Sequence, residues 1–301
     1  KNMLFFSILL RQTNKLFYSI KTPSADGDPF QLDCPSLMSV ALAPARPANA
    51  ETAATIALRL SQQAGALDLF GRVKAARAAI AGSLVFTTSF GIEDQAIGHA
   101  ILSQGLEIDL VTLDTGRLFP ETHDVWASTE ARYGRRIPAI VPERGELEAL
   151  IGAQGSDGFR NSVAARQACC HVRKVAPLKI ALDGAAGWIT GLRADQSEHR
   201  AEVPFASVDA ARGLIKINPL YDWTRTDAAA FTADHTVPVN ALHDRGFLSI
   251  GCAPCTRAIE PGEPERAGRW WWEQSGKTEC GLHANPLHLA ARAAMKAEQQ
   301  S

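Results

Sequence analysis

A doubly wound, mostly parallel α/β sheet is the fold this chain predicts, and three observations predict it. Short β-branched and aromatic runs alternate with helical stretches of roughly ten to fifteen residues, the rhythm of βαβ units. Runs such as SLVFTTSF at Ser83 to Phe90 are apolar nearly throughout, as parallel strands covered on both faces are. With 301 residues, 46% of them hydrophobic, the chain can bury a full core.

The elements follow in order. Residues 1–50 stand apart as an extension and linker, disordered or non-native. KNMLFFSILL at the start is apolar but too short to span a bilayer, and no small-residue cleavage site follows it at once. Methionines at Met3 and Met38 fit an upstream extension better than a targeting peptide, the Ala/Pro-rich stretch 41–50 reads as a linker, and Cys34 is incidental. From Thr52 a helix sets Ile56, Leu60, Ala64 and Leu67 on one face, and a second short helix runs to Ile80. Ser83 to Phe90 is the first strand, closed by Gly91 before a helix through Leu102; Ile108 to Leu113 is the second. Pro120 opens the crossover helix, which ends at Tyr133-Gly134. Arg136 to Pro142 is expected as a third strand and Gly187 to Leu192 as a fourth, with an extended pair over 203–222 folded around 210–213. The main domain is placed at 51–265 and a flexible C-terminal segment at 266–301.

Formal net charge is −1 with both signs mixed, so no polyanion-binding face is implied and nucleic acid is not an expected partner. No membrane-spanning stretch interrupts the domain. Six cysteines, four of them in two tight pairs, suit a reducing compartment and hence the cytoplasm.

Ligands of such sheets sit at the carboxyl ends of the strands. Three loops fall there. Ser89-Phe90-Gly91-Ile92-Glu93-Asp94 is a strand-to-helix turn of nucleotide-holding type, without a Walker A or G-x-G-x-x-G pattern anywhere in the chain. Glu93 and Asp94 in the first helical turn complement the dipole and repel extra phosphates. Asp114-Thr115-Gly116 can offer amides and a carboxylate to a ribose or base, or be an ordinary strand-ending turn. The stretch from Thr190 to Arg200 reads either as a lid whose Arg193 and Arg200 meet an anion or as a solvated polar loop.

Cys169-Cys170 lies in a helical stretch (RQACCHVRK) that Pro177 ends or kinks. Neighbours on a regular helix point about 100° apart, so both thiols reach one centre only if the backbone distorts. Gly251-Cys252-Ala253-Pro254-Cys255 supplies two more. Four thiolates fit a [4Fe–4S] cluster first, a structural zinc next, and two disulfides last. Lys174 and neighbouring cations offset a cluster's charge or meet an anionic substrate. Arg266 and Arg269, three apart, can grip two oxyanions, and Trp270-Trp271-Trp272 anchors the segment. Beyond a polar stretch comes Cys280, next to a glycine and three residues before His283: an activated nucleophile or a fortuitous tail cysteine.

Together these residues resemble one family. The Cys169-Cys170 pair, the Cys252/Cys255 motif and the Glu279-Cys280-Gly281-Leu282-His283 tail are those of the iron–sulfur adenylyl-sulfate (APS) reductases, within the phosphoadenylyl-sulfate reductase family. The resemblance runs from about Thr52 to Pro286 and includes the Ser89 turn, Leu113 to Gly116 and the loop at Arg193. It implies an adenine nucleotide alpha hydrolase-like (PP-loop) fold with a flexible catalytic tail. It implies a [4Fe–4S] cluster on Cys169, Cys170, Cys252 and Cys255. It implies reduction of APS to sulfite and AMP through an S-sulfocysteine at Cys280, in assimilatory sulfate reduction for cysteine biosynthesis. Ser89, Gly91, Asp114, Thr115, Lys174, Arg200, Arg266, Arg269 and His283 are then the substrate-side residues. Thioredoxin or a glutaredoxin-like dithiol would release the sulfite, since no resolving cysteine is left in the domain; a homo-oligomer is compatible with all of this. The alternatives are a PAPS reductase, a PP-loop RNA sulfurtransferase and a non-catalytic cluster-binding module.

Overall fold

In the computed structural model the described residues are 51–197, 200–273 and 282. The expectations for the extension, including Cys34, lie outside them. All belong to the unit that runs from Asn49 to Ser301.

Two helices precede the sheet. Thr52 caps α1 (Ala53–Ala64) by accepting the amide of Thr55 on its hydroxyl, and Ala57, Leu60 and Ala64 turn inward at helical spacing. Leu67 lies past the end of that helix. Asp68 caps α2 (Leu69–Ala79) in the same way.

The sheet then builds from β1 (Leu84–Thr88), α3 (Ile92–Leu102), β2 (Asp109–Leu113), α4 (Pro120–Tyr133) and β3 (Ala139–Ile140). After three helices, α5 (Arg144–Gln154), α6 (Val163–Cys170) and α7 (Ala176–Ala181), come β4 (Gly187–Ile189), β5 (Ala206–Asp209), β6 (Leu214–Ile217) and α8 (Arg225–Asp234). Strand order is β3-β2-β1-β4-β6-β5. All neighbours are parallel except β5 and β6, which pair as an antiparallel hairpin with Asp209 opposite Leu214. The expected doubly wound, mostly parallel sheet is therefore present. The chain winds outward from β1 to β3 and returns to place β4 on the other flank of β1, so the switch point lies between β1 and β4.

The third strand is shorter than the sequence predicts. Pro138 and Pro142 flank it, and a proline has no amide to give to a ladder; Pro138 only accepts, from the amide of Thr112. Helices α5 and α8 lay outside the sequence reading. No residue of α5 is fully buried, which blunts its apolar signal. The capping box of α8, Thr224 with Asp227, is legible in the sequence.

The main core packs α1, α2 and α3 against one face of the sheet through Leu60, Val73, Phe86, Ile97, Ile189 and Ile217. A smaller cluster on the other face joins Val85, Leu178, Leu182, Trp188 and Leu214. Gly187 opens β4 at the closest approach in the sheet. A Cβ there would stand 2.8 Å from Leu84 Cδ1, 2.9 Å from Ile80 Cδ1 and 3.2 Å from the Ile215 carbonyl oxygen. We expect Gly187→Val to cost about 1–3 kcal/mol through overpacking, read as a lower urea midpoint; an unchanged midpoint would show that β4 can move aside.

Candidate active site

The carboxyl ends of β1, β2 and β4 open into a cleft of ≈ 1330 Å³, counted out to solvent. Ser89, Gly91, Thr115, Lys174, Arg200, Arg266 and Arg269 all border it. Of the nucleotide-side residues predicted from sequence, Asp114 is not in its wall: that carboxylate accepts the amide of Gly116 at 2.8 Å and shapes the turn after β2.

The Ser89 turn is built around its own carboxylates. Asp94 Oδ2 accepts the Ser89 amide at 2.6 Å and its hydroxyl at 2.7 Å. Burial pushes the Asp94 carboxyl up to about 6 against those two hydrogen bonds. Glu93 is also buried, yet Arg193 and Gln196 bring it below its usual range. Arg193 is fully enclosed, 2.9 Å from Glu93, 2.8 Å from Glu265 and 3.2 Å from Asp195. This corrects one expectation: Arg193 is not a guanidinium held out to an anion but the hub of three carboxylates, Glu93 among them. Arg200 remains at the cleft, bonded through Nη1 to Gln196 Oε1.

The four cysteines of the two pairs line one small pocket beside the cleft, none of them in a disulfide. Contrary to expectation, Cys169 and Cys170 both line the pocket from the last turn of the regular helix α6, and the distortion comes just after them, as a π-helical turn over His171–Val175. The Ala176 amide reaches back five residues to the His171 carbonyl, so the turn takes in one extra residue and the helix is locally underwound before Pro177, which sits in the first turn of α7. The proline therefore does not end the helical run, which continues to Ala181. Cys252 Sγ donates to Thr115 Oγ1 at 3.3 Å, tying the cysteine loop to the end of β2. Burial raises the Cys252 thiol, but Lys174, the Thr115 hydroxyl and Arg269 outweigh it and hold the thiol below its usual range. Burial, then the neighbouring Cys252, pushes Cys255 up to about 12.

Lys174, Cys252 and Trp270 border both the cysteine pocket and the cleft. Arg269 is buried, donates to the Ile250 carbonyl at 3.2 Å and lies 5.0 Å over the Trp270 ring. Gly251 lets it pass: a Cβ there would come within 2.2 Å of Arg269 Nη2. Trp270 anchors the pocket as expected, stacked under Arg166 at 4.4 Å, and Trp272 packs on Phe159 at 5.8 Å. Trp271, by contrast, is exposed.

Two features escaped sequence reasoning. Arg166 and Glu273 form an enclosed ion pair at 2.5 Å that fastens the end of the tryptophan segment to α6; no spacing signal connects residues so far apart. His243 also borders the cleft, its Nδ1 2.9 Å from the Phe247 carbonyl oxygen. Cys280 and His283 lie outside the described residues. Leu282, between them in sequence, is described and lines the cleft.

Among the described residues no group of three or more His, Cys, Asp or Glu side chains is set to hold a metal ion. The pocket nevertheless lacks an acceptor. Arg166 Nη1, Arg173 Nε, Arg269 Nε and Trp272 Nε1 are buried nitrogens with no partner, all on residues around the cysteines, and buried donors left so are costly.

Asp94 gives a pH test. Its folded value lies above the ordinary 3.8, so the folded state holds the proton more tightly and its stability falls as pH rises from about 4 through about 6. The full effect is about 3 kcal/mol. Asp94→Asn should therefore gain on the wild type by up to that amount between pH 4 and 7 in urea titrations; parallel pH profiles would contradict a buried, proton-retaining Asp94.

Comparison with known proteins agrees with this geometry. The profile described as phosphoadenosine phosphosulfate reductase domain matches residues 83–258. The chain is 54% identical over 235 residues to a protein of Agrobacterium fabrum named adenosine 5'-phosphosulfate reductase, spanning 78% of this chain and 90% of that one. Proteins of the same name from Rhizobium meliloti (57% identity; 72% and 82% of the two chains) and Allochromatium vinosum (53%; 67% and 78%) are similarly related. A crystal structure of phosphoadenylyl-sulfate (PAPS) reductase from Candida auris, in a phosphate complex, superposes with a TM-score of 0.57 at 26% identity, over 67% of this chain and 95% of that one. The α/β architecture is accordingly of the PP-loop type, and the chain belongs to the phosphoadenosine phosphosulfate reductase domain family.

Proposed function

We propose that this protein reduces adenosine 5'-phosphosulfate to sulfite and AMP in sulfate assimilation, with Cys280 as nucleophile and a [4Fe–4S] cluster on Cys169, Cys170, Cys252 and Cys255. The observation that carries the reading is Lys174, which faces the thiol pocket on one side and the cleft on the other.

The pocket fits such a cluster chemically. Its four thiols are the right number, and its unpartnered groups are all donors, as an anionic, sulfide-rich body requires. When bound, the cluster supplies a fixed anionic neighbour that orients Lys174.

The cleft residues do the rest. The electrophilic sulfur of the substrate is wrapped in anionic oxygens, so a thiolate approaches only where cations offset that charge. Lys174, Arg200, Arg266 and Arg269 supply it, a single such donor being worth roughly 3 kcal/mol in comparable sites. Ser89, Gly91 and Thr115 lie where the nucleotide would be held, and Asp114 shapes the turn that carries Thr115. The Cys280 thiolate attacks sulfur, the S–O bond to the phosphate breaks, and AMP leaves with the electron pair. His283 helps set the tail. An external dithiol of the thioredoxin or glutaredoxin type then attacks Cys280 Sγ, releasing sulfite. Its second thiol resolves the mixed disulfide, so the dithiol's two electrons reduce the substrate. Such chemistry belongs to the cytoplasm. Among the described residues no helix is long and apolar enough to cross a membrane.

Mixing the protein with adenosine 5'-phosphosulfate without reductant should add one SO₃ to the peptide holding Cys280, seen by mass spectrometry, and Cys280→Ser should take up none. An adduct on another residue, or sulfite production undiminished in the serine variant, would refute the assignment.

A further inference from the structure

Leu282 is the one described residue of the tail, and it is held twice. Its side chain packs against the small apolar cluster of Val85, Leu178, Trp188 and Leu214 on the sheet. Its carbonyl oxygen accepts from Arg212 Nη2 at 3.1 Å. Arg212 is itself fixed. Its other terminal nitrogen donates to Asp209 Oδ2 at 2.6 Å across the β5–β6 turn, and its guanidinium lies 5.3 Å over the Trp188 ring. The Trp188 indole is in turn oriented by donating to Thr87 Oγ1 at 2.9 Å. The receiving surface is thus built from β1, β4, the hairpin and helix α7, and not from the loops that flank the cleft.

We propose that this niche is the dock of the catalytic tail, with Leu282 and Arg212 as positioning residues for the nucleophile; the inference rests on Cys280 being that nucleophile. Two residues of chain reach at most about 7 Å, so seating Leu282 confines the Cys280 thiol to the neighbourhood of the cleft that Leu282 itself lines. The apolar contact sets the depth of the tail. The single hydrogen bond to a main-chain oxygen sets its direction without depending on the tail's side chains. Arg212 does not need to touch substrate: it is not in the cleft wall, and its guanidinium is committed to Asp209 and Leu282.

The test is single-turnover formation of the SO₃ adduct on Cys280 in the full-length protein, without reductant. Affinity for adenosine 5'-phosphosulfate is measured separately in a Cys280→Ser background. The wild type must form the adduct; if it does not, the reading of Cys280 fails before this one is reached. Given that it does, Leu282→Ala and Arg212→Ala should each slow the adduct by about 10- to 100-fold, the effect of a misplaced reacting group, with substrate affinity unchanged. Leu282→Met, which refills the niche, should restore most of the rate. Alkylation of Cys280 by iodoacetamide, followed on the same peptide, should be faster in Leu282→Ala than in the wild type. Leu282→Ala alters nothing in the hairpin, so it remains informative should Arg212→Ala fold poorly. Wild-type adduct rates in Leu282→Ala, or a slower rate matched by an equal loss of substrate affinity, would overturn the proposal.

Discussion

The π-helical turn between α6 and α7 is the constraint on which the site depends. Cys169 and Cys170 close the regular helix α6, and a regular continuation of that helix would fix a different direction for Lys174 relative to them. One extra residue in the turn His171–Val175 changes the phase of the helix beyond the cysteines. The adjacent thiols share a pocket, and Lys174, four residues after Cys170, stands between that pocket and the cleft. A backbone irregularity of this kind is costly unless its surroundings fix it. Here they do: Arg173 donates to the Thr115 carbonyl at 2.6 Å, and Arg166, on the preceding helix, is enclosed with Glu273 and stacked on Trp270.

Charge in the molecule is sorted into two classes by burial. One class is structural and paired within the fold: Arg166 with Glu273, one charge against one, and Arg193 held among the three carboxylates of Glu93, Asp195 and Glu265. Removing one member of such a group strands the other in a poor solvent for charge. The second class faces the cleft, where Lys174, Arg200, Arg266 and Arg269 present an excess of positive charge to whatever enters. Asp94 belongs to neither. It is buried with hydrogen-bond donors from Ser89 but without a cation, which is why its carboxyl holds a proton to about pH 6.

Much of this was legible in the sequence, and the reasons it was or was not are physical. Strands β1 and β4 announced themselves because both faces are buried, and β2 because its apolar run is buried on one face and half-buried on the other. Helix α4 was bounded by Pro120 and Gly134, and the hairpin by its turn at 210–213. The cysteine pairs were legible because adjacent thiols have no ordinary packing purpose, whereas the helical distortion expected at Cys169 and Cys170 falls after them, at His171–Val175. Arg193 was misread because a loop arginine looks the same in sequence whether it meets a ligand or three carboxylates of its own fold. Arg166 with Glu273, and Arg212 with Leu282, join parts of the chain that only the folded sheet brings together. Helix α5 gave little signal because it leaves every residue at least partly exposed.

The central claim is that four cysteines from two distant segments hold one iron–sulfur cluster against Lys174. Iron and acid-labile sulfide counted per chain in anaerobically prepared protein test it most directly, together with the same counts in Cys169→Ser, Cys170→Ser, Cys252→Ser and Cys255→Ser. The account predicts about four of each per chain in the wild type, as a [4Fe–4S] cluster contains, and a marked loss in every variant. One zinc per chain, or an iron content indifferent to any of the four substitutions, would contradict it.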